Sequence, residues 1–267
     1  MNQEVGYDPH REKKSDEAED LLNNLLTPDA LTQRQSLGPL TVRAEYFARC
    51  GRWSKAVSDA ALALKYQPED HILYHTLAPL LVASTNSDIY QQLCQKIIAR
   101  FAGTVDPYVA DRMAKDCLIL PLPGVDLHPI AAMANTAVTV GSGYAELPFF
   151  EVCKALAEYR EGHFDEAIVW AQKTLQNPNS NSRNFSPYSQ GEAYAVVAMA
   201  KYQLNRVEGA RTAMAKLSEI VDSQLPRIEG GDLGVNWRDW IIVDALRKEA
   251  RSLIQGLPAP QNDAIRR

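Results

Sequence analysis

Two histidines and two pairs of carboxylates are the residues whose spacing in this chain could support metal or acid–base chemistry. His71 and His75 stand four positions apart, so on a helix they would share one face, a spacing that suits a metal ion. No carboxylate or cysteine is placed by spacing to complete such a site. We therefore predict no bound metal and no cofactor, and we interpret the histidines as a surface or groove pair.

The paired carboxylates fit structural roles better than catalytic ones. Asp165 and Glu166 follow a predicted turn and match the first turn of a helix, where the helix dipole favours negative charge. Asp111 and Asp116 form a second pair of the same kind. No serine, histidine and aspartate set can be argued from spacing, so acid–base or nucleophilic catalysis is not predicted.

Residues 141–143 (GSG) form the short glycine run that could cradle a phosphate group. No Lys-Ser/Thr follows the run, so we interpret it as a turn between two structural units. The glycine-rich loop, strand lysine, catalytic loop and metal-binding aspartate motifs of a protein kinase are also absent from the sequence. We expect a protein that is not an enzyme.

The composition indicates an ordinary globular chain. Of 267 residues, 46% are hydrophobic and 23% are charged, and the net charge of −5 disfavours nucleic-acid binding. No apolar stretch is long enough to cross a membrane, and the polar N-terminus carries no signal peptide. The cysteines show no CxxC spacing and are expected to be free thiols in a reducing cytoplasm: Cys50, Cys94, Cys117 and Cys153.

A repeated pattern explains how these side chains would be positioned. In residues 44–70 small and aromatic residues recur at fixed gaps, and the same gaps return twice later in the chain. The first copy contains Gly51, Trp53, Ala56, Ala60, Ala63 and Pro68. The second contains Gly162, Phe164, Ala167 and Ala171, and the third contains Asn205, Val207, Ala210, Met214 and Leu217.

Each copy reads as a helical hairpin. The alanines at positions 56, 167 and 210 allow two helices to cross closely, and the Gly or Asn ends the first helix in the left-handed conformation. Two further units are degenerate, and one has a longer, proline-rich turn. Because a single hairpin leaves an apolar face bare, the hairpins must stack on one another.

The predicted fold is all-α: a right-handed solenoid of the tetratricopeptide-repeat (TPR) type with about five hairpins and a C-terminal capping helix. Residues 16–26 are expected to form one lone amphipathic helix, and both termini are expected to be disordered. The predicted boundaries are a disordered segment 1–15, repeats at about 37–70, 71–104, 107–146, 148–182 and 191–224 within a solenoid of 16–256, a capping helix 237–255 and a disordered tail 257–267.

Residues 16–256 resemble the C-terminal TPR region of large bacterial serine/threonine protein kinases and β-propeller proteins of the planctomycete and verrucomicrobial type. The resemblance rests on strings such as RCGRWSKAVSDAALALKYQPEDHILYHTLAPLL and LPRIEGGDLGVNWRDWIIVDALRKEA. Trp237 and Trp240 match a tryptophan-rich signature that begins the capping helix, but Arg238 stands where histidine is usual. The resemblance implies a fold and a module. It does not imply kinase activity.

The TPR register predicts a peptide-binding concave face formed by the first helix of each hairpin. Its mixture of cations and aromatics suits an acidic or C-terminal carboxylate peptide, although an ordinary solvated face would look similar. The predicted residues are Thr41, Glu45, Arg49, His75, Asp111, Lys115, Tyr159, Arg160 and Tyr202.

Two functions stay open at this level. The first is a non-catalytic cytoplasmic scaffold that binds a protein or peptide partner; the sequence leaves its oligomeric state open, self-association included. The second is a regulatory or docking arm of a bacterial serine/threonine kinase, present without the kinase domain. Neither involves nucleic acid or a membrane.

Overall fold

The computed structural model describes residues 17, 19–26, 37–177 and 186–256, and these residues form helices joined by turns and loops. The predicted all-α class is therefore confirmed. The two termini that were expected to be disordered, 1–15 and 257–267, lie outside the described residues, as does the end of the fourth predicted repeat from residue 178. No helix within the described ranges combines the length and the hydropathy needed to span a bilayer.

The helices follow one another along the chain, and the last pair before α11 begins at residue 186 rather than at 191. Their bounds are α1 Leu37–Arg49, α2 Trp53–Tyr66, α3 His71–Ala83, α4 Ser87–Phe101, α5 Pro107–Leu118, α6 His128–Val140, α7 Leu147–Glu161, α8 Phe164–Gln176, α9 Ser186–Gln203, α10 Val207–Gln224 and α11 Trp237–Gln255. Residues 19–25 are also helical and precede α1.

Four of the tight turns share one backbone geometry. Gly51, Thr85, Gly162 and Asn205 all have a positive φ, between 56° and 86°. After each of them, the next amide donates to a carbonyl five residues earlier, which is the Schellman motif that ends a helix. These bonds run from Arg52 to Phe47, from Asn86 to Leu81, from His163 to Glu158 and from Arg206 to Lys201. The left-handed turn predicted for three hairpins is confirmed.

The second hairpin was degenerate in sequence, yet its turn is built like the others. Thr85 lies 34 positions after Gly51 and adopts the same left-handed conformation, with a φ of 60°. The third hairpin differs as expected, because residues 119–127 make a longer connection between α5 and α6. Ile119 and Leu122 bury this connection against the core.

The glycine run at 141–143 has a packing role. Gly141 ends α6, and a Cβ atom there would lie only 2.4 Å from Cε2 of Phe150 and 2.5 Å from the carbonyl oxygen of Ala137. Only a residue without a side chain lets the ring of Phe150 come this close. Asp165 and Glu166 lie in the first turn of α8, as predicted.

The hairpins pack in series. The two helices of each hairpin contact one another, and the first helices of neighbouring hairpins also contact in the pairs α3–α5, α5–α7 and α7–α9. Ala56, Ala167 and Ala210 are fully buried, which confirms the predicted crossing points. We call the side formed by α1, α3, α5, α7 and α9 the inner face.

The N-terminal helical residues 19–25 are not isolated. Leu26 is buried in a small cluster with Leu40, Ala63 and Leu73. The carboxylate of Glu19 accepts hydrogen bonds from Arg52 and Lys55 of the first hairpin. These contacts place the segment against α1–α3, where it covers the first hairpin.

Helix α11 reaches further than the predicted cap. It contacts α9 and α10, as a helix covering the last hairpin would, and it also contacts α3 of the second hairpin. Its residues Trp237, Ile242, Val243, Leu246 and Ala250 have no exposed surface. The helix therefore covers the last hairpin and also crosses the inner face, which was not predicted.

Candidate functional site

The inner face brings the predicted peptide-binding residues together, but the C-terminal segment covers them. Glu45 accepts hydrogen bonds from Nε1 of Trp237 (2.8 Å) and from Nη2 of Arg238 (3.0 Å). Arg49 donates two hydrogen bonds to the carboxylate of Asp232, at 2.9 and 2.6 Å. Both side chains on α1 therefore recognise the start of α11 and the loop before it.

Arg160 has the most complete internal coordination of the predicted cations. Its guanidinium donates to the carbonyl oxygens of Leu118 and Ile119 and makes two hydrogen bonds with Glu249 of α11, at 2.5 and 2.7 Å. The side chain is only 6% exposed. An external carboxylate would have to displace Glu249 to reach it.

Lys115 lies in a buried cluster of carboxylates at the centre of the inner face. Its Nζ atom is 3.7 Å from Oδ1 of Asp111 and 3.5 Å from Oε2 of Glu192, and its side chain is 3% exposed. Asp239 of α11 also acts on Lys115 electrostatically. His75 closes one side, with Nδ1 2.9 Å from Oδ1 of Asp116.

Burial dominates the titration of this cluster. It raises the pKa of Glu192 to about 7, and it raises the pKa values of Asp111 and Asp239 above their usual range. Burial by itself would lower the pKa of Lys115, but the carboxylates of Asp111 and Glu192 outweigh it and raise that pKa. The lysine therefore stays charged and holds the carboxylates together.

The polar atoms of this cluster are incompletely paired. Among the described residues, the buried side-chain atoms without a hydrogen-bond partner are Oδ1 of Asp111, Oδ2 of Asp116, Oε1 of Glu192 and Nε of Arg238. Neither of the two cavities described for the chain is lined by these residues. The cluster is a closed polar centre beneath α11, with no opening to either cavity.

The predicted open, cation-lined groove is thus corrected. Asp111, Lys115 and Tyr159 are buried, and Tyr202 is half-buried. The remaining charges of the set, Glu45, Arg49, His75 and Arg160, all have partners within the chain. Thr41 is partly buried, and its hydroxyl donates a hydrogen bond to the carbonyl oxygen of Gly38 in the same helix.

The predicted histidine pair is divided between two partners. Nη1 of Arg112 donates a hydrogen bond to Nε2 of His71 at 3.0 Å. The pKa of His71 is lowered, mainly because the ring is buried and secondly because Arg112 is positively charged. His75 is bonded to Asp116. Each ring therefore has a neighbour of its own, and the two do not converge on one point.

One group of residues in the described chain has the spacing of a metal site. Glu158, Glu161 and His163 lie at the turn between α7 and α8, with ligand atoms within 4.8 Å of one another. The carboxylate of Glu158 already accepts from Lys154 at 2.7 Å and contacts Nδ1 of His163 at 2.8 Å. These contacts explain the group as an ion-pair network on the turn.

A separate cleft opens along the other flank of α11. Its volume is about 770 Å³. One wall is α11, from Trp240 to Leu253, and the other carries the turns of the first two hairpins, including Trp53 and Val82. Leu120 and Ile228 complete an apolar lining. Large, mostly apolar clefts with a few polar groups are the usual place for a ligand to bind.

The charged side chains at the cleft are mostly neutralised within the chain. Nε1 of Trp240 donates a hydrogen bond to the carbonyl oxygen of Pro226 at 2.8 Å. The polar atom of the indole is therefore satisfied, and the apolar surface of the ring lines the cleft. The ion pairs are Arg247 with Asp222 (3.6 Å) and Asp244 (3.4 Å), Lys248 with Asp244 (2.7 Å) and Glu249 with Arg160 (2.5 Å). An uncharged ligand surface suits such a lining.

Sequence reasoning missed this cleft because its two walls are far apart in the chain. Trp53 belongs to the first hairpin and Trp240 to the last helix. The available signal was the exposed flank of α11, where Trp240, Ala245 and Leu253 interrupt an otherwise polar surface.

A comparison with models of known protein families and with curated protein sequences finds no match for this chain.

Proposed function

We propose that this chain is a non-catalytic scaffold of the TPR type that binds a segment of a partner protein in the cleft beside α11. The repeated helical hairpins, the Schellman turns and the buried alanines at positions 56, 167 and 210 support the TPR assignment. The observation that carries the binding proposal is the mostly apolar cleft of about 770 Å³, most of whose charged side chains are paired within the chain.

The closed polar centre does not favour an enzyme. Glu192 and Asp111 have raised pKa values, as catalytic acids often do. They lie beneath α11, however, and line neither described cavity, so a substrate bound in either cavity would not touch them. Their contacts with Lys115 and their proximity to Asp239 fit a role in holding α11 in place.

The test compares partner capture by the intact chain with capture by two arginine variants. Ala245→Arg places a charge in the cleft, whereas Val169→Arg places the same charge on α8, where Val169 is 52% exposed. We expect a directly bound partner, identified by cross-linking to the cleft wall, to be lost with Ala245→Arg and kept with Val169→Arg. Equal capture by all three proteins would show that the cleft is not the binding site.

A further inference from the structure

The cleft beside α11 has a shape and a backbone environment that discriminate between the conformations of a bound peptide. Trp240 and Ser252 both line it, and they are 12 positions apart on one helix. At the rise of an α-helix this span is roughly 18 Å. The groove is therefore about as long as a helix of three turns.

An extended peptide would leave its backbone unsatisfied in this groove. The described residues form no strand, so the cleft has no sheet edge to pair with an extended peptide. A backbone amide or carbonyl that is buried without a partner weakens binding. A helix avoids this cost because it satisfies its own backbone groups.

The lining also fits the face of a helix. Ala83 and Ala245 are small residues on the two walls, and small residues let helices approach closely. Trp53, Trp240 and Leu253 supply larger apolar surface around them. Arg247 and Lys248 are paired with Asp244, and the exposed Arg227 and Glu229 add one charge of each sign, so the mostly apolar lining favours no single sign of charge in a ligand.

We infer that the partner segment is an amphipathic α-helix of about three turns, whose uncharged apolar stripe packs beside α11. This inference rests on the proposed function and adds the conformation and chemistry of the ligand. The apolar residues of the partner would recur at positions i, i+3, i+4 and i+7, and its polar face would point to solvent.

A phage-displayed library of random 12-residue peptides tests this directly, with the intact chain as bait. We expect selected peptides to carry apolar residues at the helical spacing. A proline placed in the middle of such a peptide should weaken binding at least about ten-fold, because proline breaks a helix. Ala245→Arg should weaken binding by a similar factor, and Val169→Arg should leave it unchanged.

A second cleft variant guards against misfolding. Leu253→Arg changes the other end of the cleft, where Leu253 is half-buried, and thermal unfolding of both variants reports whether the fold is intact. Peptides that depend on the cleft but carry apolar residues at alternate positions, or tolerate the proline, would overturn the helical ligand and leave the proposed function standing. Absence of enriched peptides, or enrichment that survives both variants, would overturn the helical ligand and the proposed function together.

Discussion

Helix α11 separates two regions that differ in charge and access. On one side, Lys115 and Glu192 are buried in a polar centre that the partly buried Asp239 of α11 covers. On the other, Trp240 and Ala245 line an apolar cleft that is open. The charged residues that looked suitable for a ligand hold the chain's own helix. The surface left for an external partner is mostly apolar, and most of its charges are paired within the chain.

The largest expected contrast between the two regions comes from removing one lysine in each. Lys115→Met should lower the free energy of unfolding by about 3–5 kcal/mol, because it leaves the buried carboxylates of Asp111 and Glu192 without their cation. Lys248→Met should change it by less than about 1 kcal/mol, since Lys248 is 51% exposed. Urea denaturation measures both. Equal losses would contradict the distinction between a closed and an open region.

The pH dependence of stability should also come from the closed region. Burial raises the pKa of Glu192 from 4.5 to about 7, so between these pH values the folded protein holds a proton that the unfolded chain has released. The free energy of unfolding should therefore fall as the pH rises through this window, by roughly 3 kcal/mol for this group. Denaturation at a series of pH values measures the slope.

Two glutamine variants identify the source of that slope. Glu192→Gln should make the slope between pH 4.5 and 7 shallower, because it removes one of the groups whose pKa burial raises, while Asp111 and Asp239 still contribute. Glu229→Gln, at the exposed mouth of the cleft, should leave the slope unchanged. A slope in Glu192→Gln equal to that of the wild-type protein would show that Glu192 does not contribute to the pH dependence.

The two tryptophans of α11 give a smaller contrast. Trp237 is fully buried and donates to Glu45, whereas Trp240 is half-buried and donates to the carbonyl of Pro226. Trp237→Phe should cost about 1–3 kcal/mol, since it leaves a void where the indole is fully buried and removes the hydrogen bond to Glu45. Trp240→Phe should cost less, because water can replace the indole at Pro226. Thermal unfolding of the two variants measures both losses. A larger loss in Trp240→Phe than in Trp237→Phe would contradict the described docking of α11.

The smallest expected effect is a gain in stability at the mouth of the cleft. Thr85 lines the cleft and holds a left-handed φ of 60°, which costs an L-residue roughly 1–2 kcal/mol. Thr85→Gly should raise the free energy of unfolding by about 0.5–1 kcal/mol, because the greater freedom of glycine in the unfolded chain offsets part of the relief. Gly162→Ala, at the equivalent turn, should lower it. A lower free energy of unfolding in Thr85→Gly would show that the turn of the second hairpin is not built like the turns of the other hairpins.

Local signals made most of the fold predictable. Gly51, Gly162 and Asn205 marked the turns, and the alanines at 56, 167 and 210 marked the helix crossings, since both depend on neighbours within a few positions. Thr85 was harder to identify because threonine is rare in a left-handed turn. Only the spacing of 34 residues from Gly51 indicated it.

The candidate site was less predictable, because it depends on where α11 docks. The repeat register placed Lys115 and Arg160 on the first helices of two hairpins. It gave no information on Glu249 and Asp239, which come from the far end of the chain and neutralise or surround those cations. Charge complementarity over such separations has no period that a single sequence reveals.

The sequence by itself determined the helices, their turns and the serial packing of the hairpins, because hydrophobic spacing, small residues and left-handed positions act over one or two helical turns. The tertiary structure alone decided which surface stays open. Helix α11 covers the charged inner face because Trp237, Asp239 and Glu249 find partners there, and its other flank then completes the apolar cleft. Only the packing of the whole chain decides which residues form internal contacts and which remain on a surface that a partner can bind.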